Sequence, residues 1–286
     1  MSHSVSKIAL LTFIALCAFS ANSIICRLAL GGQSIDATSF TFIRLFSGAV
    51  ILLFLVLMTN KGKKLTSKGT WAGGITLFIY AAAFSFAYIT LDTATGALIL
   101  FGAVQLSMLL ISYVRGSRFY LAEWLGIVVS FAGFSYLVWP LVALPSFTGA
   151  LLMSVSGISW GVYTLIGRSS KQPLVDTCFN FVRSLPFVFI LLVFTYQQLD
   201  WSNTGIILAI VSGAVTSGIG YAVWYFVLPS LAPTQAAVLQ LTVPIIAALG
   251  GVVFVSEPIT LRLIAASLFV LGGIALVIFA KQRGSQ

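Results

Sequence analysis

Two arginines, two side-chain amides and a group of aromatics stand inside long apolar runs, and they are groups that bind a solute rather than make or break bonds. Arg44 and Arg183 have no intramembrane carboxylate partner legible in the sequence. An arginine at the centre of a membrane helix costs about 2.5–3.5 kcal/mol on insertion scales, so each must point inward or snorkel. The pair could mark entrances for an anionic group such as an amino-acid carboxylate, one on each side of the midplane. The structural alternative is that each guanidinium caps carbonyls of broken helix ends. Gln105 lies about midway along a run with no ionisable residue between Asp92 and Arg115. A buried amide costs roughly 1–3 kcal/mol unless it is hydrogen-bonded, so Gln105 faces protein or a watered cavity. It either bonds across helices, often for only ~0.6 kcal/mol, or touches a solute. Asn22 poses the same choice.

The aromatics Tyr80, Trp160, Tyr163, Tyr221, Trp224 and Tyr225 fall well inside apolar runs, although Trp and Tyr usually gather at membrane interfaces. They either pack the core or line a cavity for an amphipathic or apolar solute. Pro186 and Pro244 remove backbone donors within helices, which makes them hinge candidates or ordinary kinks. Gly157-xxx-Gly161 and Gly213-xxx-Ser217 are small-xxx-small pairs suited to close helix approach.

Several chemistries have no residues to carry them. There is no HExxH, no GxSxG, no P-loop and no cluster of acids, so neither catalytic residues nor ATP hydrolysis are expected. The one histidine is His3, and Cys17, Cys26 and Cys178 show no metal-ligand spacing, so no metal or cofactor is expected. The helix interiors are read as free of Asp, Glu and His, the usual proton relays. That favours facilitated diffusion or exchange over proton coupling, with Glu257 the acid that could reverse the inference. A drug or organic-cation carrier would want an intramembrane anion, which is missing.

These residues require membrane helices to hold them. Of 286 residues, 59% are hydrophobic and 7% charged, where a soluble domain has about a quarter charged. The apolar run that follows Lys7 resembles a signal peptide but continues to about Leu30, long enough to span, and is read as a retained helix. The punctuation predicts ten transmembrane helices, at about 7–29, 37–59, 70–90, 93–113, 122–139, 147–168, 175–196, 203–227, 232–255 and 259–280. With the N-terminus in the cytoplasm, the inside segments hold Lys7, Lys61, Lys63, Lys64, Lys68, Arg115, Arg118, Arg168, Lys171, Lys281 and Arg283, eleven of the 15 basic residues. Asp36, Asp92, Asp200 and Glu257 fall outside. Both termini are therefore expected in the cytoplasm, and the net charge of +9 reflects orientation rather than a nucleic-acid partner.

A shift of 139 residues lays Phe40-Thr41-Phe42-Ile43-Arg44 on Phe179-Asn180-Phe181-Val182-Arg183, Gly74 on Gly213, Thr95 on Thr234 and Gly133 on Gly272. It carries helices 1–5 onto 6–10. Five is odd, so residues 1–140 and 141–286 are expected to be two inverted five-helix repeats, an all-α integral membrane fold typical of transporters.

Ala232-Pro233-Thr234-Gln235-Ala236-Ala237, then Pro244, then Ser256-Glu257-Pro258-Ile259-Thr260, together with Ser20-Ala21-Asn22 and Ser159-Trp160-Gly161, resemble the EamA-type members of the drug/metabolite transporter superfamily over nearly the whole chain. Gln105 stands where the repeat partner has Pro244, and Gly116-Ser117-Arg118 where members usually carry Gly-Glu-Arg. The resemblance implies a carrier in the bacterial inner membrane that moves a small metabolite. Given the arginines, a zwitterionic, neutral or anionic cargo is expected, an amino acid foremost. Drug efflux and proton-coupled transport are the alternatives. The implied partners are a small solute and the lipid bilayer; nothing sets an oligomeric state, and a monomer would suffice.

Overall fold

The computed structural model describes residues 5–59, 67–116, 119–139, 146–168, 170–231 and 239–284. These form α1 (Val5–Gly31), α2 (Ala37–Thr59), α3 (Trp71–Ala87), α4 (Thr93–Val114), α5 (Leu121–Val138), α6 (Ser146–Gly167), α7 (Pro173–Thr195), α8 (Asn203–Val227), α9 (Thr242–Val255) and α10 (Leu261–Gly284). Seven of them are long and apolar enough to cross a bilayer by length and composition; α3, α5 and α9 are apolar but shorter. Large side chains such as Leu57, Val193, Phe194 and Leu268 stand on the outside of the bundle, an arrangement that suits hydrocarbon as the surrounding solvent.

Helix starts follow local chemistry. Asp36 Oδ1 accepts from the backbone N–H groups of Thr38 and Ser39, both at 2.9 Å, and so caps α2. Thr70 caps α3 through Gly73 N–H at 2.9 Å, and Ser202 caps α8 through Gly205 N–H at 3.1 Å. Glu123, in the first turn of α5, is fully buried and accepts from Tyr120 N–H at 2.7 Å. It is an acid that the tally of carboxylates near helix ends leaves out.

Where hydropathy suggests one unbroken helix over 232–255, a turn at Leu241 interrupts it and α9 starts afresh at Thr242. Pro244, expected in mid-helix, therefore sits in the first turn, where its missing N–H would lack a partner anyway. Ser20 Oγ, at 3.1 Å from the Val243 carbonyl, satisfies an oxygen near the break. Pro186 lies inside α7, which runs unbroken past it. Two stretches widen to π-helical winding, Val211–Ile219 in α8 and Gly251–Val255 in α9; neither is foreseeable from the apolar pattern.

Helix α1 packs on α8 and α9, and α6 packs on α3 and α4. Helix α2 packs on α7 and α8, α3 on α7, and α5 on α10. Small residues set these crossings. Gly213 faces the backbone of Arg44, and Gly157 and Gly161 face Leu100 to Ser107 of α4. Lys61, Lys63, Lys64, Arg118 and the segment Ala232–Ala237 lie outside the described residues, as do the side chains of Lys281 and Arg283.

Candidate functional site

Helices α1, α3, α4, α6 and α8 wall a cavity of about 20 Å³ deep in the bundle, room for a water rather than for a metabolite. Four of the expected site residues line it: Asn22 from α1, Tyr80 from α3, Trp160 from α6 and Tyr221 from α8. Trp160 is the hub, with ring centroids 4.8 Å from Tyr80, 4.8 Å from Tyr221 and 5.5 Å from Tyr163. Phe19 meets Trp160, Tyr221 and Trp224 edge-on, so Trp224 joins the cluster from behind. Tyr225 is buried one layer out, its hydroxyl against Gly167. Such edge and tilted contacts favour a rigid aromatic wall.

Arg44 stands behind this wall, 1% exposed. Its Nη2 donates to the Tyr80 hydroxyl at 3.0 Å and its Nε to Ser217 Oγ at 3.2 Å. The guanidinium carbon lies 5.2 Å from the Tyr80 ring centroid and 4.9 Å from that of Phe84, close enough for cation–π attraction. Its Nη1 has no partner among the described residues. Arg44 therefore bonds two hydroxyls rather than the carbonyls of a broken helix, and it makes no ion pair there. Burying it costs free energy that two hydrogen bonds and two ring faces offset.

The second polar cluster surrounds Asn22. Its Oδ1 accepts from Ser212 Oγ at 2.7 Å and lies 3.0 Å from Thr216 Oγ1. Ser212, Thr216 and Ser217 all belong to the widened stretch of α8. The cavity's polar supports are thus drawn from a π-helical segment, a winding often found at functional sites.

The other expected residues stand apart. Gln105, 5% exposed, lies one turn along α4 from the cavity residue Phe101, on the same side, and does not line the cavity. Arg183 is not paired with Arg44. Its guanidinium sits 5.6 Å from the ring of Trp71, the first residue of α3, and its Nη1 has no partner among the described residues. The guanidinium is thus directed at the start of α3 and not into the cavity. Pro244 is buried in α9.

Two sets of clasps close the ends of the bundle. At one end, Arg27 Nε donates to Glu257 Oε1 at 3.0 Å and Nη2 to Asp92 at 3.4 Å. Glu257 Oε2 also accepts from Thr93 N–H at 2.8 Å. Nearby, Asp36 Oδ2 accepts from Asp200 N–H at 3.0 Å, and the Asp36 N–H donates to the Asp200 carbonyl at 2.8 Å. At the other end, Asp176 accepts from Gly69 N–H at 2.9 Å and from the hydroxyls of Ser67 and Ser170. Thr70 N–H donates to Asn180 Oδ1 at 2.9 Å. Glu257, held by Arg27 and Thr93, is engaged in a clasp and is not a lone acid in the cavity.

Phe19, Ser23, Phe84, Leu100 and Phe101 of the cavity wall, its supports Ser212, Thr216 and Ser217, and Arg27 of the clasp are not singled out by the sequence. Phe and Ser are too common in apolar runs to stand out. Arg27 could have been suspected, since one of the acids opposite it, Glu257, was already a candidate.

Known proteins resemble this chain in sequence and in fold. Residues 147–279 match the EamA-like transporter family. A Pseudomonas aeruginosa protein that carries the description "uncharacterized protein" is 47% identical over 269 residues, covering 94% of this chain and 93% of that one. An uncharacterized transporter of Archaeoglobus fulgidus is 30% identical over 156 residues, covering 54% of this chain and 56% of its own. The uncharacterized transporter YoaV of Bacillus subtilis is 23% identical over 140 residues, covering 47% and 48%. A solved crystal structure, 18% identical, superposes with a TM-score of 0.64 over 96% of this chain and 98% of that one, a likeness of fold. With its stacked apolar helices and these relatives, the chain is an integral membrane transporter and belongs to the EamA-like transporter family.

Proposed function

We propose that the chain is a ten-span carrier in which residues 1–140 and 141–286 are inverted five-helix halves. These halves rock about the central cavity to move a small amphipathic metabolite, an amino acid or related solute, by facilitated diffusion or exchange. The reading is of export across a bacterial inner membrane with both termini in the cytoplasm. One observation carries it. Under the 139-residue shift, which exchanges α1 with α6, α2 with α7, α3 with α8 and α4 with α9, the main contacts between the halves map onto one another. The pair α1 on α8 and α9 becomes α6 on α3 and α4, and α2 on α8 becomes α7 on α3.

The clasps repeat in the same way. Asp36, before α2, holds the loop that precedes α8, and Asp176, at the start of α7, holds the loop that precedes α3. Each half thus grips the other by equivalent means at opposite ends, the arrangement that alternating access needs. The lysine-rich end, with Lys68, Arg115, Arg168 and Lys171, is then cytoplasmic by the positive-inside rule. The Arg27–Glu257 clasp closes the outside.

Single cysteines at Lys68→Cys and Asn203→Cys, both exposed positions, test the topology in a background with Cys17, Cys26 and Cys178 replaced. An impermeant maleimide applied to intact cells should label the second and spare the first, and inverted vesicles should reverse the result. Labelling of both from one face would contradict the inverted halves.

A further inference from the structure

We propose that the cavity selects solutes by an acceptor group, a carboxylate joined to an aromatic or apolar body, and that an ammonium on the solute weakens binding. This rests on the carrier reading and narrows its cargo from an amino acid to a related acid that lacks the ammonium. It follows from counting protons. Arg44 has donors only, so in its 3.0 Å bond the Tyr80 oxygen accepts. The Tyr80 and Tyr221 hydroxyls lie 3.2 Å apart and hold one proton each, and their mutual bond uses one of the two. Whichever donates, one phenolic proton stays unspent, because Arg44 cannot take it.

Both tyrosines line the cavity, so the spare O–H is offered to whatever enters. Asn22 adds to this. With its Oδ1 held by Ser212 at 2.7 Å, its amino group is the part left for the cavity. Behind them sits a buried guanidinium with Nη1 unsatisfied among the described residues. Both ion pairs among those residues belong to Arg27, at the far clasp, and no Asp or Glu lines the cavity.

The polar face of the cavity is therefore donor-rich and lies beside an uncompensated positive charge. A carboxylate answers both features, whereas an ammonium finds no oxygen anion and a nearby like charge. Trp160, Phe19 and Phe101 provide the apolar face for the rest of the solute. Arg44 acts here as a positioning residue: it orients the tyrosine pair and biases the site toward anions.

The same counting separates two substitutions. Tyr221→Phe leaves Tyr80 accepting from Arg44 with its own proton free, so a donor survives. Tyr80→Phe/Tyr221→Phe together remove every phenolic donor.

Binding of 3-phenylpropionate, 3-phenylpropanamide, L-phenylalanine and phenethylamine to the full chain in nanodiscs, followed by tryptophan fluorescence, tests the assignment. The acid should bind roughly tenfold or more tightly than its amide, the margin of a charged hydrogen bond. Phenylalanine should bind more weakly than the acid, and phenethylamine weakest. Tyr221→Phe should weaken the acid less than the double variant, which should lose roughly tenfold. Arg44→Gln should erase the preference for acid over amide. Equal affinities for acid and amide, tighter binding of the amine, or no binding of the acid would overturn the proposal. Binding of the acid without flux in proteoliposomes would count against the carrier and not against the site. Saturable flux of amines alone would do the reverse.

Discussion

At the scale of single residues, Asn22, Arg44 and the Tyr80–Tyr221 pair are buried polar groups tied to named partners, and the ties say what their loss should cost. Asn22 Oδ1 is the acceptor for the Ser212 hydroxyl of α8. Asn22→Ala strands that hydroxyl and removes an amide from the cavity wall. Loss of one such hydrogen bond costs about 1 kcal/mol of stability, measurable as a lower melting temperature in detergent, and solute affinity should fall with it. A variant with unchanged melting and unchanged affinity would show that Asn22 is a bystander. Gln105 differs in kind. It lies a turn beyond the cavity along α4 and does not line it. Tyr163, Trp224 and Tyr225 back the cavity's aromatic wall from one layer out.

At the scale of elements, the crossing of α2 and α8 is a tight constraint on the site, because it places Arg44 against Ser217. Gly213 makes that crossing possible: a Cβ there would run into the Arg44 carbonyl and Ser47 Oγ. Gly213→Ala should destabilise the fold by about 1–3 kcal/mol, the usual range for overpacking, and should disturb the Arg44–Ser217 bond first. Thermal unfolding in micelles measures it, and a melting curve that matches wild type would mean the helices can part without loss.

Much of this level is legible in the chain. Hydrophobic length and lysine placement predict helices close to those of α1, α2, α4, α6, α7 and α8, because each must be long, apolar and flanked by charge to sit in lipid. The small-xxx-small pairs mark true crossings. The break at Leu241 and the widened turns of α8 and α9 are not legible, since a one-dimensional apolar pattern does not register how a helix winds. The site is half legible for a related reason. Asn22, Arg44, Tyr80, Trp160 and Tyr221 are conspicuous as polar or amphipathic residues in apolar runs. Arg44 and Arg183, equivalent under the repeat shift, meet different neighbours: Arg183 finds Trp71 at the start of α3, and Arg44 finds Tyr80 in the core.

At the scale of the whole molecule, the conformation is closed. The cavity is too small for a metabolite, one end is latched by Arg27 with Glu257 and Asp92, and the other is held through Asp176 and Asn180. Under the proposed alternating access, transport requires the two latches to release in turn, with each half moving largely as a body. Accessibility of the cavity from each face measures this most directly. Ser23→Cys places a small thiol on the cavity wall; Arg27→Cys with Glu257→Cys lets a short bifunctional thiol reagent bridge the outer latch. The native cysteines are replaced in both. An impermeant methanethiosulfonate should reach the introduced cavity thiol from outside in intact cells and from inside in inverted vesicles. Bridging the latch should abolish the outside reaction and leave the inside one. A cavity thiol that stays unreactive from both faces, or one still reached from outside after bridging, would contradict alternating access around this cavity.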